Sequence, residues 1–208
     1  MAVVAPPPPD RAVNPKLYTL PAASTLHRLY GPSRFGATAT GFRFVGPFVR
    51  FDHHQVLAGG KLVVQSRGII YSALDLTGAL VEQFGSCGGG EAGLIRYCGI
   101  VTNEPLYLLD LREDGALRAG TILGVCSQAH DIAQEWSRCF YESIDVYDEL
   151  DGLTYPNAHN GDASVALYER AMHAMPSRAQ WDIELRDRTY RSMVLPALSA
   201  TSLPIRLI

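Results

Sequence analysis

The chain contains no long apolar run. No stretch approaches the roughly 20 consecutive apolar residues that a membrane-spanning helix needs, so no membrane span is expected. It also lacks a polybasic run, and with a net charge of −3 and a pI of about 6.0 it has no clustered basic face for direct nucleic-acid binding. A nucleotide-sized ligand is not excluded by this, because one or two well-placed arginines suffice to grip a phosphate. Cysteine is scarce: Cys87, Cys98, Cys126 and Cys139 show neither C-x-x-C nor a Cys/His zinc spacing. The expectation is four reduced, mostly buried thiols, no metal, and a reducing, cytoplasmic location. The opening MAVVAPPPPDRAVNP has neither the basic start nor the apolar run of a signal peptide. The P-loop, the dinucleotide G-x-G-x-x-G and the hydrolase G-x-S-x-G are all missing, which removes the motif basis for those three chemistries.

What is present is an ordinary globular composition, 47% hydrophobic and 19% charged over 208 residues, enough for one domain with a sizeable core. Residues 1–24 read as a Pro-rich tail, 25–175 as the domain, and 176–208 as a C-terminal extension packed on it. Leu26-His27-Arg28-Leu29-Tyr30 alternates as a half-buried strand does. A glycine-rich stretch, Gly31 to Gly46, follows, in which Gly36, Gly41 and Gly46 permit tight backbone paths. Residues 48–52 read as a short strand. Lys61–Gln65 and Gly68–Ala73 read as a hairpin around a break. Asp75 is placed to cap a helix carrying Leu76, Ala79, Leu80 and Phe84 on one face.

Further on, Leu106–Leu111 predicts a strand and 127–142 an amphipathic helix with Trp136 and Phe140 inward. Asp151–Asn160 reads as a loop, Ser164–Tyr168 as a strand, and Arg188–Leu195 as β-like. Strands and helices do not alternate strictly, which predicts an α+β fold. His53-His54 suggests a metal pair, but neighbours on a strand point to opposite faces, leaving at most one for a cleft.

Four segments, in this order, resemble the RES domain family. They are L-H-R-L-Y at 26–30, V-R-F-D at 49–52, I-I-Y-S-A-L-D-L-T-G-A-L-V-E at 69–82, and D-G-L-T-Y-P-N at 151–157 continuing to V-A-L-Y at 165–168. The resemblance implies an ADP-ribosyltransferase-like fold, with two small, mostly antiparallel sheets and flanking helices around an NAD+ cleft. It implies a toxin of a RES–Xre toxin–antitoxin pair that cleaves NAD+ as glycohydrolase or phosphorylase, with inorganic phosphate a possible co-substrate. Transfer of ADP-ribose to a protein is the alternative, and an impaired nucleotide- or protein-binding module is the third. The implied partners are a small Xre-like antitoxin and a second copy in a homodimer.

The residue types suit that chemistry. Guanidinium grips phosphate oxygens, which points to Arg28 and Arg50, with Arg43 of the recurrent F-R-F as rival to Arg50. Breaking the glycosidic bond of NAD+ builds positive charge on the ribose, and a carboxylate, Glu82, stabilises it there. Tyr71 is the candidate to stack on nicotinamide, and Tyr30 is a further cleft candidate. Asn157 stands where the family has serine after Tyr-Pro, and its side chain both donates and accepts; Ser164 is the weaker substitute.

Overall fold

The computed structural model describes residues 3–32, 36–91 and 93–207; Ser33, Arg34 and Phe35 of the glycine-rich stretch lie outside them. The first half of the chain contains β1 (Leu17–Leu20), β2 (Thr25–Tyr30), β3 (Arg43–Val45), β4 (Val64–Ala73), α1 (Leu76–Phe84), β5 (Gly90–Glu91) and β6 (Arg96–Val101). The second half adds β7 (Leu106–Asp110), α2 (Gly115–Arg118), α3 (His130–Glu142), α4 (Ile144–Tyr147), β8 (Gly152–Pro156), β9 (Ala163–Tyr168), β10 (Trp181–Glu184), α5 (Arg191–Thr201) and β11 (Ile205–Arg206).

Nine strands are hydrogen-bonded in the order β1-β7-β8-β9-β4-β2-β6-β10, with β3 on β4; β5 and β11 form a separate parallel pair. Within the nine, only β7 and β8 run parallel. The weak seam lies between β2 and β4, which share the single register pair His27↔Ala73. Away from that bridge β2 pairs with β6 from Thr25 to Tyr30, and β4 pairs with β9 from Ile69 to Ala73. The sheet is therefore two mostly antiparallel subsheets that part company at one point. Two strands that diverge leave a gap, and the helix following β4 flanks it.

Strand β9 and the first four residues of β8 are buried throughout except at Ala163, so side chains on both faces meet core. One face meets Trp136 and Phe140 of α3, and the other meets Leu26, Ile100 and Leu108. This explains why Asp151–Asn160 looks like a loop in sequence: a strand covered on both faces shows no alternation. Gly152 opens β8 because nothing larger fits; a Cβ there would stand 2.3 Å from the Ala166 carbonyl oxygen. Gly152→Ala is expected to cost about 3 kcal/mol by forcing the β8–β9 ladder apart, measured as a lower urea midpoint at unchanged slope.

Three other segments differ from expectation. Residues 48–52 form a turn, because the buried Asp52 carboxylate accepts from the backbone N–H of Phe48 at 2.5 Å and of Val49 at 3.0 Å. The anticipated hairpin at 61–73 is one strand, β4. Gly68 does not break it but makes room for the Phe44 ring, whose Cε1 would lie 2.6 Å from a Cβ. Arg188–Leu195 is helical: the Asp187 side chain caps the turn through Thr189 N at 2.9 Å, and α5 then packs on α1.

The Pro-rich start lies on the domain. Val4 is buried, Ala5 O accepts the Trp136 indole N–H at 2.8 Å, and β1 pairs with β7. Cys98 and Cys126 are buried, Cys139 is half-buried and Cys87 is exposed.

Candidate active site

At the seam between β2 and β4 lies a cleft of about 410 Å³, within the usual range for small-molecule sites. Strand β2 contributes Arg28, β4 contributes Tyr71, and the Asp52 turn contributes Arg50. Asp75 caps α1 through Gly78 N at 2.6 Å, which starts the helix immediately after β4 and brings Glu82 to the same cleft. The sequence candidates Arg28, Arg50, Tyr71 and Glu82 thus meet on one surface.

Arg28 spans the seam. Its Nη1 donates to the Tyr71 carbonyl at 3.2 Å, its guanidinium lies 5.7 Å from the Tyr30 ring centre, and its Nε is buried without a partner. Among the described residues no carboxylate pairs with it. Burial lowers its pKa to about 10, which leaves it charged at neutral pH with donors to spare. A cation held this way is poised for an anion.

Glu82 lines the cleft from α1 and is exposed at its mouth. Burial raises its pKa above the ordinary glutamate value; the Arg50 guanidinium and the Ser164 hydroxyl pull it back. Ser164 Oγ is fully buried and makes no hydrogen bond of standard geometry, so its influence is that of a nearby dipole. Arg50 in turn is held by the Gln128 carbonyl, just before α3.

Asp52 organises the opposite wall. Arg43 Nη2 donates to both of its carboxylate oxygens, at 2.7 and 2.8 Å, and Tyr71 Oη donates to Oδ1 at 2.9 Å. Tyr71 Oη also accepts from Phe51 N at 3.1 Å. Burial, then the negative Asp52, holds the Tyr71 phenol well above its usual pKa, so it offers the cleft a fixed neutral ring. Of the two rival arginines, Arg50 faces the cleft and Arg43 is engaged by Asp52.

Two candidates stand elsewhere. Tyr30 does not line the cleft: its ring centre is 5.7 Å from the Arg28 guanidinium and its hydroxyl donates to Asp182 at 2.8 Å. Asn157 is buried beside it rather than in it, its Oδ1 accepting from His159 N at 2.8 Å in the turn after β8. His159 does line the cleft, as do His27 and His130. Isolated histidines in unrelated segments carry no spacing by which a sequence could single them out. His53 and His54 are both buried away from the cleft; His53 packs on the rings of Tyr141 and Tyr168 and meets Glu169 at 3.1 Å. Among the described residues no group of three or more His, Cys, Asp or Glu is placed to hold a metal ion.

The split sheet, the flanking helices and the cleft at the seam define an α+β protein of ADP-ribosyltransferase-like fold. The RES domain family matches residues 9–186, and the chain belongs to that family. It is 34% identical over 87 residues to the "Probable toxin y4kH" of Sinorhizobium fredii (strain NBRC 101917 / NGR234), a stretch covering 41% of this chain and 65% of that relative's length. Among solved structures it resembles a chain of the M. tuberculosis MbcT-MbcA toxin-antitoxin complex. There the TM-score is 0.54 and the identity 14%, with 85% of this chain and 92% of that one covered, a likeness of fold.

Proposed function

We propose that this RES-domain protein is a toxin that cleaves NAD+ at the nicotinamide–ribose bond, with water or inorganic phosphate as acceptor. The observation that carries the reading is the meeting of Arg28, Arg50, Tyr71 and Glu82 on one cleft. The pyrophosphate lies on Arg28 and Arg50, the nicotinamide end against Tyr71, and the reacting ribose at Glu82. As the glycosidic bond lengthens, the ribose gains positive charge and nicotinamide leaves neutral; the Glu82 carboxylate opposes that charge without forming a bond. Resemblance to a probable toxin and to the fold of a toxin–antitoxin complex supports a small protein antitoxin as partner, of the Xre-like kind the family implies. A homodimer and a cytoplasmic location belong to the same reading. No helix of the described residues is long and apolar enough to cross a membrane.

The test is nicotinamide release from NAD+ by the purified chain, with and without phosphate. Dependence on phosphate identifies phosphorolysis, and release without it identifies hydrolysis. Label that stays on protein identifies ADP-ribosyl transfer, and no release in any condition rejects NAD+ cleavage.

The reaction requires ionised Glu82, so its pH profile reports that group. Activity is expected to fall on acidification with a midpoint above the ordinary glutamate value of 4.5. Arg50→Gln removes the cation that favours ionisation, and the acid limb moves to higher pH. A limb that stays in place in Arg50→Gln would detach Arg50 from Glu82.

A further inference from the structure

Glu82 and the apolar stripe of its helix lie on opposite sides of α1. Leu76, Leu80 and Phe84, four residues apart, share one face, and Glu82, two residues from both Leu80 and Phe84, lies on the other, toward the cleft. The stripe is buried, and part of its cover comes from beyond the RES match, which ends at Arg186. Val194 of α5 is fully buried in the same cluster, and Leu198, Leu203 and Ile205 pack against it. This segment also holds the end of the helix. Gly89 N donates to the Phe84 carbonyl at 3.1 Å, Gly90 N donates to the Pro204 carbonyl at 3.3 Å, and β11 then runs alongside β5. Glycine is required at 89: its φ is 123°, and a Cβ there would stand 2.7 Å from the Pro204 ring. The outer face of α1 and the turn after it are thus both held by residues 187–207, none of which lines the cleft.

We propose that residues 187–207 are an intramolecular clamp that sets where α1 places Glu82, so that a segment outside the family match governs the cleft without touching it; its effect on catalysis rests on the role proposed for Glu82 above. A carboxylate that opposes a developing charge acts only from a fixed place, and a displacement of about 1 Å forfeits much of its effect. Helix α1 has nine residues, fewer than the roughly 12–15 at which an isolated helix becomes even marginally stable. Its position therefore comes from what covers its stripe and anchors its ends. The Asp75 cap fixes its start, whereas Glu82 lies in its last turn, beside the end that Gly89, Gly90 and Pro204 hold. Val194 and Gly89 are accordingly positioning residues, one on the outer face of the helix and one at its end.

The experiment uses the full chain and two variants, Val194→Ala and Gly89→Ala, which loosen the clamp at its two separate contacts. Amide hydrogen exchange is expected to speed up at least about tenfold in α1 and to stay within about twofold in β4 and β9. The Glu82 carboxyl, followed by NMR through an acid titration, is expected to move down toward the ordinary glutamate value as water replaces protein around it. Nicotinamide release is expected to lose about tenfold in kcat with KM within about twofold. Unchanged exchange of α1 in both variants overturns the clamp. Equal loosening of α1, β4 and β9 also overturns it, because residues 187–207 would then be general packing. A Glu82 titration that stays in place in both variants, or full kcat in variants whose α1 has loosened, overturns it as well. The NAD+ reading fails separately: a wild type that releases no nicotinamide, but whose α1 and Glu82 respond as stated, keeps the clamp and loses the cleavage.

Discussion

Glu82→Gln is expected to reduce nicotinamide release by about 10²–10³-fold, with substrate binding little changed. The carboxylate meets a charge that exists only as the bond breaks, so its loss falls on kcat rather than KM. The variant keeps the shape of the side chain and its place on α1. Its stability is expected to move the other way. Burial raises the pKa of Glu82 in the folded chain. The fold therefore binds a proton more tightly than the unfolded chain does, and stability declines as pH rises from the ordinary glutamate value through the folded one. Glutamine removes that decline. Denaturation at neutral pH should accordingly show the variant at least as stable as wild type, whereas a variant that loses activity and stability together would mark Glu82 as structural.

Asp52→Asn is expected to be the most damaging single change outside the core, costing about 3–5 kcal/mol because it leaves the mostly buried Arg43 without its counter-charge. Asp52 is fully buried and also accepts from Phe48 N, Val49 N and Tyr71 Oη. An amide cannot serve all of these donors, since one of its two polar atoms is itself a donor. The turn carrying Arg50 and the ring of Tyr71 should loosen together, so NAD+ cleavage falls with stability. Urea unfolding reads the first effect. A double-mutant cycle with Arg43→Gln reads the second: coupling of about 1 kcal/mol or more is expected, and additive losses would reject the pair as the anchor.

Asn157 and Tyr30, cleft candidates from the sequence, stand outside the cleft lining. Asn157 accepts from His159 N in the turn after β8, and the Tyr30 ring lies 5.7 Å from the Arg28 guanidinium while its hydroxyl donates to Asp182. Neither relation has a local pattern, because Tyr30 and Asp182 are far apart in the chain.

The elements with one wet and one dry face were legible in the sequence. The alternation at 26–30 became β2, the Asp75 cap and its apolar face became α1, and Trp136 and Phe140 mark the buried face of α3. The α+β class followed from the same pattern, and motif order singled out Arg28, Arg50, Tyr71 and Glu82, which the fold brings to one cleft. Tertiary structure alone decided that β8 is an inner strand, that 188–195 is helical, and that β2 and β4 touch at a single bridge. It also decided that Arg43 serves Asp52 while Arg50 faces the cleft. Periodicity reports how each element meets solvent, whereas a cleft is made by strands distant in sequence that diverge, and the partners of its buried charges come from whichever segments the closed fold brings alongside.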